Sequence, residues 1–151
     1  MRLLLTSLAA ATLLAGPALA GETRIELRSG LGWTDGQAAK GTLGGAVGYD
    51  LSTGGGTFIG VEESVDKQLA AGQQARWGTS ARFGTHMGPD DKLYATAGYN
   101  YGTGPHGADI GAGWEHTLGG PLYTKVEYKH YFNEGGARNS NALVLGVGMK
   151  F

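Results

Sequence analysis

Hydrophobic and polar residues alternate along the chain from Thr23 to its C-terminus. Apolar side chains recur at every second position, a period that predicts β-strands rather than helices. Turn-forming residues interrupt the alternation, so the sequence predicts eight strands of about ten residues each. The predicted strands are Thr23–Trp33, Gly41–Leu51, Gly56–Ser64, Ala75–Met87, Lys92–Tyr101, Gly107–Thr117, Leu122–Phe132 and Ser140–Phe151.

The predicted connections alternate in length. The tight turns are residues 52–56, 88–91 and 118–121. The longer connections are residues 34–40, 65–74 and 133–139, with 102–106 as a short member of that set. Outer-membrane barrels place short turns at the periplasmic rim and longer loops outside the cell. The sequence therefore predicts an all-β fold, an eight-stranded antiparallel up-and-down transmembrane β-barrel with short periplasmic turns and longer extracellular loops.

Charged residues of the strands fall on one face of the alternation, opposite the apolar face. We expect these residues to form a charge network in the lumen: Arg24, Glu26, Arg28, Asp50, Glu62, Arg76, Arg82, Asp109, Glu115, Lys125, Glu127 and Lys129. Basic and acidic members nearly balance, and buried charges must be paired. Eight strands leave an interior only just wide enough for side chains. We therefore expect a plugged lumen; the alternative is a narrow channel for ions or small solutes.

Alternation alone does not show which face is inside, because a soluble, lipocalin-like ligand-binding barrel alternates in the same way with its apolar face inward. Glycines cluster on the charged face, where a narrow lumen needs small neighbours: Gly30, Gly44, Gly60, Gly78, Gly98, Gly111 and Gly146. Aromatic residues of the apolar face lie near strand ends, as two membrane interfaces favour. The predicted belts contain Trp33, Tyr49, Trp77, Tyr101, Trp114 and Phe132. One carboxylate, Glu63, falls on the apolar face, and we place it near a strand end.

Both ends of the chain carry features of an exported protein. Residues 1–20 combine Arg2, an apolar run and the small-residue site Ala18-Leu19-Ala20, the pattern of a cleavable signal peptide. Residues 21–151 would then form a single barrel domain. The last strand alternates up to a terminal aromatic residue, a pattern recognised by the bacterial barrel-assembly machinery: Leu143, Leu145, Val147, Met149 and Phe151. We expect a location in the bacterial outer membrane, contact with its lipid and lipopolysaccharide, and periplasmic chaperones and the assembly machinery as partners during biogenesis.

Composition and motifs argue against several other functions. Without Arg2, eleven Lys and Arg residues face thirteen Asp and Glu residues, with no basic block for nucleic acid. The four histidines lack metal-site spacing, and no cofactor motif is present. Residues 130–134, His-Tyr-Phe-Asn-Glu, resemble the order in lipid A deacylases, but Phe132 stands where the nucleophilic serine belongs. We expect no enzyme and no cofactor, with a lipid A-modifying enzyme as an alternative.

Four alternating segments follow one another in the second half of the chain: Leu93-Tyr-Ala-Thr-Ala-Gly-Tyr99, Gly111-Ala-Gly-Trp-Glu115, Leu122-Tyr-Thr-Lys-Val-Glu-Tyr128 and Leu145-Gly-Val-Gly-Met-Lys-Phe151. Together they resemble the opacity-protein-like, porin-family outer-membrane β-barrel domain of proteobacteria. Each motif has low specificity, and their order carries the resemblance, which is most evident over the C-terminal half. The resemblance implies an eight-stranded barrel with short periplasmic turns, and it brings no shared catalytic site.

Overall fold

The computed structural model describes residues 21–102 and 104–151, which form a closed barrel. Its strands are β1 (Gly21–Thr34), β2 (Lys40–Gly54), β3 (Thr57–Gln68), β4 (Ala75–His86), β5 (Asp91–Gly102), β6 (Gly107–Gly119), β7 (Leu122–Asn133) and β8 (Ser140–Lys150). Consecutive strands pair antiparallel, and β8 closes the barrel on β1. The predicted eight-stranded fold is confirmed. The predicted signal peptide lies outside the described residues.

The register of the strands gives the barrel its dimensions. Successive ladder partners of Arg24 lead around the barrel through the other seven strands and return to β1 at Thr34, ten positions farther along. A barrel with this stagger has strands tilted by about 40° from its axis. The residues that the structure describes contain no helix long and apolar enough to cross a membrane.

The connections define two different ends of the barrel. At the short-turn end, two-residue to four-residue turns cover 55–56, 87–90 and 120–121, and at the long-loop end the connections cover 35–39, 69–74, 103–106 and 134–139. Gly55 and Gly120 adopt φ values of +61° and +57° in the two shortest turns. Glycine tolerates this left-handed conformation at little steric cost, which explains why these turns can be so short.

Side chains alternate between the lumen and the outer surface. In β1, Arg24, Glu26 and Arg28 are at most 2% exposed, whereas Leu27 between them is 77% exposed. The same contrast recurs around the barrel, where large apolar side chains such as Ile59 cover the outside. Buried polar and charged side chains outnumber buried apolar ones among the described residues. The barrel therefore has a charged interior and an apolar exterior, the reverse of a soluble ligand-binding barrel.

Glycines on the charged face make room for the long side chains. A Cβ atom on Gly146 would lie 2.7 Å from the carboxylate carbon of Glu26, and one on Gly48 would lie 2.4 Å from Nη2 of Arg24. A Cβ would approach another residue within 2.8 Å at every glycine that the sequence places on this face: Gly30, Gly44, Gly60, Gly78, Gly98, Gly111 and Gly146. The absence of a side chain at these positions leaves space for lumen side chains, such as Glu26 beside Gly146, and at Gly30 for the backbone of the neighbouring strand.

The third strand is longer than predicted. β3 continues to Gln68 rather than ending at Ser64, and its ladders to both neighbouring strands persist to that end. The segment is polar, but Asp66 turns into the lumen, where its carboxylate accepts a hydrogen bond from Nε of Arg28 at 2.7 Å. The prediction that Glu63 lies near a strand end is wrong, because the extension leaves it in the middle of β3.

Candidate functional site

Glu62 is the hub of a charge network that fills the lumen. Its side chain is almost fully buried, and Oε2 lies 3.2 Å from Nη1 of Arg24 and 3.4 Å from Nζ of Lys125. Nη1 of Arg82 lies 3.7 Å from the same oxygen, and Oε1 accepts a hydrogen bond from Nη1 of Arg28 at 3.1 Å. One carboxylate thus faces four cations, and these need further anionic partners to remain buried.

Each of the four cations reaches a second carboxylate. The pairs are Arg24 with Asp50 at 3.2 Å, Arg82 with Glu115 at 3.1 Å, Lys125 with Glu26 at 3.0 Å, and Arg28 with Asp66. Because every cation is shared between anions, the charges compensate one another across the lumen.

Aromatic side chains complete the packing around these ions. The guanidinium carbon of Arg82 lies 3.9 Å from the ring centre of Tyr94, a cation–π geometry. The hydroxyl of Tyr94 donates to Glu127 at 2.8 Å. The hydroxyl of Tyr123 donates to Glu26 at 3.0 Å. The rings fill space between charged layers while their hydroxyls satisfy carboxylate oxygens.

Toward the long-loop end the network continues through Lys129. Its Nζ lies 3.3 Å from Oδ1 of Asp109 and 3.8 Å from Oε1 of Glu127. Asp109 also accepts a hydrogen bond from Nδ2 of Asn100 at 2.6 Å. Thus eleven of the twelve lumen residues expected from the sequence lie in one connected network.

Sequence reasoning missed several members of the network. At the short-turn end, Nζ of Lys92 lies 2.5 Å from Glu22. Both residues share the parity of the charged face, so a stricter use of the alternation would have included them. Lys150, which the alternation does place on that face, joins the network there, with its Nζ 3.0 Å from Glu115. Asp66 was missed for another reason, since it was assigned to a loop.

Arg76 is the expected lumen residue that stays outside the network. It lies at the long-loop end, half-buried, with its guanidinium carbon 4.6 Å from the ring centre of Tyr131. Within residues 21–102 and 104–151, it forms neither an ion pair nor a side-chain hydrogen bond. Its charge is therefore available at the long-loop mouth of the lumen.

Aromatic residues expected in two belts all project from the outer surface: Trp33, Tyr49, Trp77, Tyr101, Trp114 and Phe132. Tyr101 and Trp114 have polar partners, as residues at an interface between water and lipid do. The indole nitrogen of Trp114 donates to Asp91 at 2.9 Å, close to the short-turn end.

The last strand presents its alternating residues outward. Leu143, Leu145, Val147 and Met149 are between 40% and 57% exposed. Phe151 follows the strand with an exposed ring, while its backbone nitrogen donates to the carbonyl of Thr23 at 2.9 Å. The tail is therefore part of the barrel seam, and its apolar side chains stay available on the outside.

Glu63 is an unusual group for the apolar exterior. It lies between Val61 and Val65 along the outer face of β3 and is half-buried. Oγ1 of Thr79 donates to it at 2.5 Å, and the hydroxyl of Tyr101 donates to its other oxygen. These two bonds compensate a carboxylate that would otherwise face an apolar surrounding.

His130 and Ser140 do not combine into a nucleophilic site. His130 faces the exterior, with Nδ1 2.8 Å from Oδ1 of Asn141. Ser140 is buried on the lumen side, where its hydroxyl accepts a hydrogen bond from Asn133 at 3.0 Å. The two side chains lie on opposite faces of the sheet, so the imidazole does not reach the hydroxyl.

Two open cavities flank the charge network. The one at the long-loop end has a volume of about 350 Å³ and includes Arg76 and Arg138 in its lining. The one at the short-turn end has a volume of about 420 Å³ and includes Lys92 and Lys150. The buried ion pairs around Glu62 lie between them.

Comparison with known proteins identifies the fold. No protein-family model matches the sequence, and no curated protein matches it. Among solved structures, the attachment invasion locus protein Ail of Yersinia pestis is similar, with a TM-score of 0.66, 11% identity, and coverage of 87% of this chain and 99% of Ail. The fold is that of small outer-membrane barrels.

Two further structures support this assignment. The N-terminal β-barrel domain of Pseudomonas aeruginosa OprF has a TM-score of 0.66 and 17% identity, covering 86% of this chain and 97% of that domain. Neisserial surface protein A has a TM-score of 0.57 and 14% identity, covering 87% and 97%. At these identities the likeness concerns the fold.

Proposed function

We propose that the protein is an integral, non-enzymatic outer-membrane barrel with a structural and surface role and a closed lumen. The observation that carries this proposal is the distribution of charge. Arg24, Glu62 and Arg82 are buried inside, whereas Leu27 and Phe83 are more than 60% exposed outside. Such an exterior is unfavourable in water and favourable against lipid chains.

The spacing of the aromatic belts supports insertion in a bilayer. Tyr49 pairs with Thr23 near one end of β1, and Trp33 lies ten residues farther along that strand. Ten residues at the tilt of this barrel rise about 25 Å. The lipid-facing band of outer-membrane barrels has about the same height. The long loops would then face the outside of the cell, beside lipopolysaccharide, and the short turns would face the periplasm.

The biogenesis partners follow from the same proposal. The outward alternation of Leu143, Leu145, Val147 and Met149, together with terminal Phe151, suits recognition by the barrel-assembly machinery after delivery by periplasmic chaperones. The interior supports a non-enzymatic role, since its charged groups are engaged with one another rather than arranged around a substrate.

Topology can be tested with single cysteines, because the natural chain contains none. Ala71→Cys lies in the 69–74 loop, and Ser52→Cys lies near the short-turn end. Intact cells are treated with a membrane-impermeant maleimide. We expect the label on Ala71→Cys in intact cells, and on Ser52→Cys only after the outer membrane has been permeabilised.

The unmodified cysteine-free protein measures background labelling. Equal labelling of both variants in intact cells would contradict the proposed orientation. Labelling of both variants only after permeabilisation, with the protein recovered in the soluble fraction, would contradict membrane insertion itself.

A conductance measurement distinguishes a closed lumen from a channel. The two end cavities favour passage of ions, but the network around Glu62 fills the space between them with paired side chains. In planar bilayers we expect no current steps above the lipid baseline. Discrete, reproducible steps from refolded, heat-modifiable protein would instead support the narrow channel.

A further inference from the structure

The cavity at the long-loop end has an unbalanced charge. Seven of the eleven basic residues in 21–151 belong to the lumen network: Arg24, Arg28, Arg82, Lys92, Lys125, Lys129 and Lys150. Of the remaining four, Lys40, Arg76 and Arg138 all line this cavity. The cavity contains one carboxylate, that of Asp66, and Arg28 already binds both of its oxygens. The lining residues therefore carry an excess of positive charge, although the carboxylate of Asp35 lies beside them, with Oδ1 3.5 Å from Nδ2 of Asn141.

Arg76 and Tyr131 both line this cavity. The guanidinium carbon of Arg76 lies over the Tyr131 ring, 4.6 Å from its centre, and no described residue accepts a hydrogen bond from the guanidinium group. Arginine binds carboxylate, phosphate or sulfate through two parallel hydrogen bonds, and a stacked guanidinium loses little freedom on binding. Arg138 is a second cation in the lining, and its Nη1 donates a hydrogen bond to the carbonyl oxygen of Asp35 at 3.3 Å.

The rest of the lining is rich in amides and hydroxyls. It includes Gln37, Gln68, Gln73, Gln74, Asn133 and Ser140. Amide side chains offer both donors and acceptors, which matches the hydroxyl groups of a sugar. A volume of about 350 Å³ is at the lower end of the range for small-molecule sites. It suits one or two sugar rings.

We infer that the long-loop cavity binds an anionic saccharide, with Arg76 pairing with its acidic group. Access from outside the cell rests on the proposed orientation, whereas the chemistry of the cavity does not. The acidic sugar could belong to lipopolysaccharide or to a foreign glycan, because both sources present phosphate, carboxylate or sulfate on a sugar ring.

Isothermal titration of the purified barrel in detergent tests the inference. The probes are glucose 1-phosphate, glucose, and a triglutamate peptide. We expect measurable binding of the phosphosugar, and much weaker binding of the other two. Arg76→Gln should weaken phosphosugar binding by about tenfold, the effect of losing one charge-assisted pair. Two further titrations, with a phosphorylated lipopolysaccharide core oligosaccharide and with a sulfated glycosaminoglycan disaccharide, identify the source by the higher affinity.

Lys67→Gln is the matched control, because it removes the same charge from the exposed outer surface of β3 rather than from the cavity. It should leave the affinity unchanged. Equal binding by Arg76→Gln and the natural protein, or equal binding of triglutamate and phosphosugar, would overturn the inference. So would absence of binding by protein whose gel mobility shows a folded barrel, a result that would leave the proposed membrane function standing.

Discussion

Oε2 of Glu62 lies 3.2 Å from Nη1 of Arg24, although the two residues are 38 positions apart and their strands are separated by β2. Arg82 and Lys125 approach the same oxygen. The barrel thus replaces an apolar core with a buried ionic one. Such a core depends on every charge having its partners, because an unpaired buried charge is strongly destabilising.

Glu62→Gln should therefore destabilise the barrel severely. The substitution keeps the size of the side chain but removes the negative charge that four cations share. We expect the free energy of unfolding to fall by about 3–5 kcal/mol, measured by urea titration in phospholipid vesicles. Glu134→Gln, on the exposed loop at 134–139, is the control and should change it by less than about 0.5 kcal/mol. Similar effects of the two variants would show that the ionic core is not what stabilises the lumen.

Substitutions of two tyrosines in β5 test whether Glu63, the carboxylate on the outer face, has apolar surroundings. The hydroxyl of Tyr101 donates to Glu63 among apolar neighbours, whereas the hydroxyl of Tyr99 donates to Glu134 at 3.2 Å beside an exposed loop. Tyr101→Phe leaves a lipid-facing carboxylate with one fewer hydrogen-bond donor. It should lower the free energy of unfolding in vesicles by about 1–3 kcal/mol. Tyr99→Phe removes the same hydroxyl group at a position where water can replace it, and it should lower the free energy of unfolding by less than about 0.5 kcal/mol. A larger loss of stability for Tyr99→Phe than for Tyr101→Phe would indicate that Glu63 is surrounded by water rather than by lipid.

Gly30 tests how tightly the charged face is packed. A Cβ at this position would lie 2.1 Å from the carbonyl oxygen of Leu143 on the neighbouring strand. Gly30→Ala should lower the free energy of unfolding by about 1–3 kcal/mol through overpacking. Gly41→Ala is the control, since its Cβ would lie 3.6 Å from the nearest atom, on Leu69. Equal stability of both variants in urea titrations would contradict this packing.

Phe151→Ala separates assembly from stability. The ring is 66% exposed, and the seam is held by backbone bonds to Thr23 that the substitution leaves intact. Refolding in detergent should proceed as for the natural protein, while the amount in the outer membrane of growing cells should fall several-fold. Leu93→Ala, another outward apolar residue, should leave that amount unchanged. An unchanged amount of the Phe151→Ala variant in the outer membrane would contradict a role of this residue in assembly.

The alternation of apolar and polar residues predicted the fold because, in every strand of a barrel, successive side chains face the lumen and the exterior in turn. Strand ends were less well predicted, since the residues of β3 beyond Ser64 are polar and yet continue the ladder, with Asp66 paired to Arg28 in the lumen. Pairing within the lumen connects residues from distant strands, and parity alone does not specify such contacts. For the same reason, the sequence did not distinguish Arg76 from the paired arginines.

Gel mobility of the outer-membrane fraction tests the central claim most directly. Cells expressing the natural chain are fractionated, and the outer-membrane fraction is run with and without boiling. We predict that the protein is found in this fraction and migrates differently after boiling, because the closed barrel resists detergent until heated. Recovery as a soluble periplasmic protein with one mobility would contradict a lipid-facing exterior.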